Sequence, residues 1–116
     1  MVFICIVIFW LSNQSKLPDV PVRIPHLDKV EHFLTYSLLG FFVRRAFIHR
    51  TPHWNSIFSA IVFCLLFGIS DEFHQVFVPN RQADIFDLFA DILGGIHGQW
   101  WYAQWVEYAK KWSWYE

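Results

Sequence analysis

The chain has 116 residues, which is enough for one domain at most. It is 55% hydrophobic and 21% aromatic but only 16% charged, whereas soluble domains average about 25% charged residues, so the composition favours a membrane protein. The formal net charge of −1 argues against nucleic acid as a partner. Cys5 and Cys64 lie in apolar runs, where a free cysteine behaves as a small hydrophobe, so no disulfide framework is expected.

The first predicted element is a short apolar helix over residues 1–12. It is followed by polar residues 12–15 and by three prolines between positions 18 and 25, a pattern typical of a helix stop and an extended loop. A signal-peptide core is the alternative, but the segment lacks a basic start and a small-x-small cleavage site. We therefore interpret it as a first membrane helix that is short for the bilayer.

Three longer apolar segments follow, at roughly 30–48, 53–72 and 83–106. Each approaches the length of about 20 residues that a membrane-spanning helix needs once its polar ends are counted. The predicted fold is therefore all-α, an integral membrane four-helix bundle.

Basic residues in short loops predict the orientation of the bundle. The loop between the second and third helices and the tail after the fourth contain Arg44, Arg45, Arg50, Lys110 and Lys111. The opposite side has Lys16, Arg23, Lys29 and Arg81. This small bias predicts a multi-pass protein of the cell (inner) membrane with both termini cytoplasmic. The aromatic residues between 100 and 115 fit an interfacial belt on that side, with packing against a partner protein as the alternative.

Polar residues recur at helical spacing on the second and third predicted helices. On the second, a spacing of four aligns Asp28, His32, Tyr36 and Gly40. On the third, the aligned residues are Gly68, Asp71 and Gln75, with His74 three after Asp71. Glu72 is expected to point elsewhere, because one residue rotates a side chain by roughly 100° around a helix.

The fourth helix carries a stripe with two halves. Its outer half is acidic, with Asp84, Asp87 and Asp91, and its inner half is Gly94-x-x-x-Gly98. Glycines at this spacing let another helix backbone approach closely. The stripe therefore predicts a face that packs against neighbouring helices, or against a second copy of the chain, and presents carboxylates there.

All three stripes lie at helix ends that an up-and-down bundle brings to one side. This outward zone contains seven carboxylates, two permanent cations and two histidines: Asp28, Glu31, Asp71, Glu72, Asp84, Asp87, Asp91, Lys29, Arg81, His32 and His74. In a poorly solvated site, so many carboxylates cannot all stay ionised beside two cations. We expect Glu31 and Asp84 to be exposed and the others to form hydrogen-bonded pairs, in preference to a metal site.

The residue types in this zone are compatible with a metal ion or with a bound anion. Asp71 and His74 could coordinate zinc or manganese together with Asp87 or Asp91, but the spacing is not that of a helical His-Glu-x-x-His zinc motif, and no metal or other cofactor is expected. Arg81 can bind a carboxylate or phosphate at two points, or form a salt bridge with Asp84 or Asp87.

Taken together, these residues resemble the VanZ-like family. The resemblance extends over residues 11–98 and rests on Asp28-Lys29-x-x-His32-Phe33-x-x-Tyr36-x-x-x-Gly40, Ser70-Asp71-Glu72-x-His74-Gln75-x-Phe77-x-Pro79-x-Arg81 and Asp87-x-x-x-Asp91-x-x-Gly94-x-x-x-Gly98. The chain has Asn80 where the family commonly has glycine, and Asp91 where it commonly has asparagine. Glycine and asparagine both tolerate a left-handed turn, so the loop is expected to survive.

The resemblance implies a small multi-pass membrane protein, with residues 1–116 as one domain. The family's founding member is linked to low-level resistance to the glycopeptide teicoplanin, which points to the cell envelope and to membrane lipids as surroundings.

Three functions are left open by the sequence. In the first, an outward site binds a lipid headgroup, an envelope precursor or a glycopeptide: Arg81 and Lys29 hold an anionic group, oriented by Asp71, His74 and Gln75 beside Asp28, Tyr36, Asp87 and Asp91. In the second, an enzyme acts on a lipid-linked substrate, with His74 or His32 as acid or base next to Asp71, Glu72 or Asp91. The third is a proton or cation pathway, for which the inner half of the bundle offers few relays. An oligomer through the Gly94 and Gly98 face is also predicted.

Overall fold

The chain forms four α-helices in the computed structural model, which describes residues 1–13, 26–50 and 52–113. They are α1 (Val2–Ser12), α2 (Leu27–Phe47), α3 (His53–Gln75) and α4 (Ile85–Ser113). Within the described residues there is no strand, so the predicted all-helical, four-helix architecture is confirmed. The predicted proline-containing loop, the cations at 16 and 23 and the last aromatic residues fall outside the described part.

The helix bounds differ from the apolar segments mainly in α2 and α4. α2 begins at Leu27 and so includes Asp28 and Lys29, because a helix can continue into polar residues where its first turn meets partners on other helices. α4 continues to Ser113 through the aromatic segment, which contains neither proline nor glycine beyond Gly98. At about 1.5 Å per residue, the 29 residues of α4 extend roughly 44 Å.

α2 and α4 form the most extensive helix–helix interface, and glycines set their separation. A Cβ atom at Gly98 would overlap the Ser37 carbonyl oxygen, and one at Gly94 would overlap the Phe33 carbonyl oxygen. The predicted close packing of this face is therefore found within the chain, against α2. An oligomer through the Gly94 and Gly98 face stays a prediction.

The distribution of polar and apolar side chains is the reverse of that in most soluble proteins. Large apolar residues along all four helices are exposed, among them Phe3, Leu34, Phe58, Phe73 and Phe89. A small apolar core, formed by Ile8, Tyr36, Leu39, Val43, Ala60 and Cys64, lies beside many buried polar groups. The buried polar and charged residues are Ser12, His32, Ser37, Arg44, Ser56, Asp71, Glu72, Gln75, Asp87, Asp91 and Gln99.

By length and composition, one helix among the described residues is able to cross a membrane, Trp54–Gln75 in α3. α1 is apolar but shorter, with 11 residues. α2 and α4 are long enough to cross a membrane, but they contain more ionisable residues than α3. In α3 the carboxylates are confined to the last turns. Four membrane spans therefore stay a prediction.

Candidate functional site

The ionisable residues cluster where the start of α2, the end of α3 and the start of α4 meet. α3 and α4 are joined at this end by residues 76–84, and the last turn of α1 packs close by. Hydrogen bonds link α2 to α4 and link α3 to the residue before α4. The structure thus brings together the polar ends of three helices, as their alternating direction predicts.

Lys29 is surrounded by three carboxylates. Its ammonium nitrogen donates to Asp87 at 2.9 Å, to Asp84 at 3.0 Å and to Asp28 at 3.1 Å. The hydrogen bond to Asp87, ahead of those to Asp84 and Asp28, raises the pKa of Lys29, so this side chain stays charged at physiological pH. Its charge is already matched inside the protein. Asp84 also accepts from the Phe86 backbone N–H at 2.9 Å, which lowers the pKa of Asp84 and fixes the start of α4.

His32 and Asp91 form a buried pair between α2 and α4. The Nδ1 atom of His32 lies 2.8 Å from an oxygen of Asp91, and its Nε2 atom lies 3.9 Å from an oxygen of Asp87. The Asp91 side chain is fully buried. A carboxylate held this close to one ring nitrogen fixes the orientation of the ring. The predicted pairing of the deep carboxylates is therefore found for Asp91.

Glu72 corrects one of our expectations. It lies on a helix, as assumed, yet it does not point away from the cluster: it is buried and accepts a hydrogen bond at 2.8 Å from the Asp84 backbone N–H. The physical reason is that α3 contacts both α2 and α4 at this end. Adjacent faces of the helix are consequently both covered, so that Asp71 and Glu72 are buried together.

Two of the other predicted residues of α3, Asp71 and His74, contact α1. Asp71 accepts a hydrogen bond from the Ser12 hydroxyl, and the His74 ring centroid is 4.5 Å from that of Phe9. Gln75 and Tyr36 are almost fully buried.

Several buried polar atoms at this end have no hydrogen-bond partner among the described residues. They are Tyr36 Oη, Glu72 Oε1, His74 Nδ1, Gln75 Nε2 and Asp91 Oδ2. Such atoms are costly in a folded protein unless a ligand, ion, proton or water satisfies them.

Arg81 lies beside a narrow cleft formed by the last turns of α1 and the first turns of α2. The cleft is lined by Ile8, Leu11, Ser12, Glu31, His32, Thr35, Tyr36 and Arg81. Its solvent-sized space of about 20 Å³ holds roughly one water molecule, so a larger molecule can insert only a small group. The turn that carries Arg81 contains Asn80 at φ 62°, the left-handed conformation predicted for this position. Asp84 and Asp87, the two predicted partners of Arg81, pair with Lys29.

Glu31 and Asp84 were both predicted to be exposed, and the structure agrees for one of them. Glu31 is exposed as predicted. Asp84, also expected to be exposed, is only partly accessible, because its side chain is held by Lys29 and by the α4 backbone.

Sequence reasoning missed two polar pairs deeper in the α2–α4 interface. His97 lies 3.1 Å from the Ser37 hydroxyl, and Arg44 donates to Gln99 at 3.3 Å. It also missed that Gly40 packs directly on Gly95. One sequence signal could have revealed the first pair. Ser37 follows Phe33 at a spacing of four, on the helix row next to the one with Asp28, His32 and Tyr36. Ser37 carries no charge, however, so it did not stand out as part of a buried interface.

Comparison with known proteins identifies the family of the chain. A family model described as VanZ/LLP1 matches residues 1–106, which include all three helix ends of the cluster and the cleft. No curated protein and no solved structure matches the chain. Because the family match covers most of the 116 residues, the resemblance found in the sequence is confirmed, and the chain belongs to the VanZ/LLP1 family of VanZ-like proteins.

Proposed function

We propose that this VanZ-like cell-envelope protein is a multi-pass membrane protein whose polar cluster binds the headgroup of an envelope molecule. The reversed distribution of side chains supports the membrane part of the proposal. Exposed Leu, Ile, Phe and Trp side chains suit a hydrocarbon surrounding, and ionisable groups inside a membrane bundle face its interior and carry function.

The observation that carries the binding role is the group of unpartnered buried polar atoms at one end of the bundle. Five such atoms, on Tyr36, Glu72, His74, Gln75 and Asp91, lie on the three helices that meet there. Each costs about 1–3 kcal/mol if it stays unsatisfied. A polar ligand at this end of the bundle could form hydrogen bonds with these atoms and so stabilise the complex, whereas an apolar ligand could not.

Arg81 is the proposed anchor for an anionic group, because of its position in the cleft. It lines the cleft together with His32 and Tyr36. A guanidinium binds phosphate or carboxylate at two points. We infer that the ligand is a lipid headgroup, a lipid-linked envelope precursor or a lipophilic glycopeptide, and that only a small anionic part of it enters the cleft.

The test compares Arg81→Lys with the wild-type chain in nanodiscs, using an isoprenyl pyrophosphate and teicoplanin as separate probes. Lysine keeps the charge but loses the two-point geometry, so we expect the Kd of the bound probe to rise about tenfold, as for the loss of about 1.4 kcal/mol. Arg50→Lys, in the exposed loop after α2, is the matched control and should bind as the wild type does. Equal affinities for the wild type and Arg81→Lys would contradict the proposed anchor.

A second candidate function is acid–base catalysis on a lipid-linked substrate. The buried contact of 2.8 Å between His32 and Asp91 favours it, because a carboxylate that orients an imidazole is a recurrent element of proton-transfer sites. If the protein is an enzyme, His32→Gln should lower turnover of the isoprenyl pyrophosphate at least about 100-fold while the probe still binds. His74→Gln separates the two histidines, and unchanged turnover in both variants would remove the catalytic proposal.

A further inference from the structure

Three buried side chains from three different helices converge inside the cluster. They are His32 on α2, Glu72 on α3 and Asp91 on α4. One nitrogen or oxygen atom from each lies within 4.8 Å of those from the other two. None of the three residues is more than 8% exposed. This is a compact set of one imidazole and two carboxylate donors, shielded from solvent.

Two carboxylate oxygens of this set are buried without a hydrogen-bond partner. Glu72 uses Oε2 to accept from the Asp84 backbone, which leaves Oε1 buried without a partner. Asp91 uses Oδ1 for His32, which leaves Oδ2 buried without a partner. Glu72 is thus arranged as a metal ligand would be, with one oxygen held by a hydrogen bond from the protein and the other buried and unsatisfied.

The backbone of α3 approaches Asp91 Oδ2 closely at Gly68. Gly68 lies one turn before Glu72, and a Cβ atom at Gly68 would be 3.0 Å from Asp91 Oδ2. Any larger side chain at this position would press on the carboxylate.

The nearby lysine does not neutralise this set. Lys29 donates to Asp28, Asp84 and Asp87, and none of its hydrogen bonds goes to Glu72 or Asp91.

We propose that His32, Glu72 and Asp91 bind one divalent transition-metal ion of the zinc or manganese type. An imidazole with carboxylates suits these ions, whereas calcium and magnesium prefer shells made only of oxygen. Three protein ligands leave coordination positions for a water or for a ligand oxygen. In this last respect the inference rests on the proposed binding function, because a headgroup oxygen could occupy such a position.

The experiment measures the ion alone, with no lipid or glycopeptide present. The full chain is purified in detergent without chelator and without an affinity tag, stripped of metal, and titrated with Zn²⁺ and with Mn²⁺. We expect about one ion per chain for the wild type, and binding at least about tenfold weaker for Glu72→Gln and for Asp91→Asn. Glu107→Gln, an exposed position on α4, is the matched control and should bind as the wild type does.

A second measurement guards against variants that fail to fold. Co²⁺ added to the wild type should give visible absorption bands of a nitrogen- and oxygen-ligated ion, and bound ion should raise the melting temperature of the wild type but not that of Glu72→Gln. A wild-type chain that takes up no ion from excess Zn²⁺ or Mn²⁺, or folded variants that bind as tightly as the wild type, would overturn the metal site. The two proposals can fail separately. If the headgroup binds without metal, the proposed function stands whatever becomes of the metal site. If the metal binds but no headgroup does, the proposed function is contradicted and the metal site stands.

Discussion

At the scale of single residues, the site depends on how its charges are compensated. Lys29 is the cation that neutralises the outer carboxylates, and it links the start of α2 to the start of α4 through Asp84 and Asp87. Because Asp87 is buried, removal of the ammonium would leave that carboxylate without its closest cation. Breaking an ion pair by deleting one partner costs more than the pair contributes, since the remaining charge stays desolvated.

We therefore predict that Lys29→Met destabilises the fold. Methionine keeps most of the side-chain length but removes the charge, and we expect the free energy of unfolding to fall by about 1–3 kcal/mol. Lys110→Met is the matched control, because its pair with Glu107 is solvent-exposed and such pairs contribute about 0–1 kcal/mol. Denaturation in detergent followed by circular dichroism measures both. A loss for Lys29→Met no larger than that for Lys110→Met would contradict this role.

At the scale of helices, small residues fix the α2–α4 interface and so determine which polar groups meet. Gly94 and Gly98 lie against the α2 backbone, and Gly40 lies against Gly95. The His32–Asp91 pair, the Ser37–His97 pair and the Arg44–Gln99 pair follow one another along this same interface. A change in helix separation would therefore disturb all three pairs at once.

The substitution Gly98→Ala tests this dependence. Its Cβ atom would overlap the Ser37 carbonyl oxygen and lie 2.7 Å from the Phe41 backbone nitrogen, neither of which can rotate away. We expect a loss of about 1–3 kcal/mol or more in stability. Gly95→Ala is the comparison, because its Cβ atom would meet only the Cys64 side chain, at 3.0 Å and beyond. Equal thermal stability of the two variants would argue against backbone contact as the determinant.

Helical periodicity predicted much of this arrangement but not which helix faces are covered. The stripe from Asp87 to Gly98 does face α2, because residues three and four apart share one face of any helix. Glu72 was misassigned, since its burial depends on two neighbouring helices that no local pattern on α3 describes. Ser37 and Gln99 went unnoticed because a buried polar residue in an apolar run carries no local signal of its partner.

At the scale of the whole molecule, an apolar exterior surrounds an interior in which a small apolar core lies beside many polar groups. The 23 residues of α3 extend roughly 35 Å at about 1.5 Å per residue, which exceeds the hydrocarbon thickness of about 30 Å. α2, with 21 residues, reaches roughly the same length, whereas the 11 residues of α1 reach about half of it. α1 is therefore too short to cover the whole length of the bundle, and its last turns lie at the cleft.

If α3 crosses the bilayer, the segments before and after it lie on opposite sides, and this is testable with single cysteines. In a background with Cys5 and Cys64 replaced by alanine, Gln82→Cys and His49→Cys place an exposed thiol after α3 and before it. The positive-inside bias predicts that His49 lies in the cytoplasm, so a membrane-impermeant maleimide should label Gln82→Cys in intact cells and His49→Cys only after permeabilisation. The cysteine-free background controls for unspecific labelling. If both thiols react equally in intact cells, α3 does not cross the membrane; if only His49→Cys reacts, the bundle is inverted and its polar cluster faces the cytoplasm.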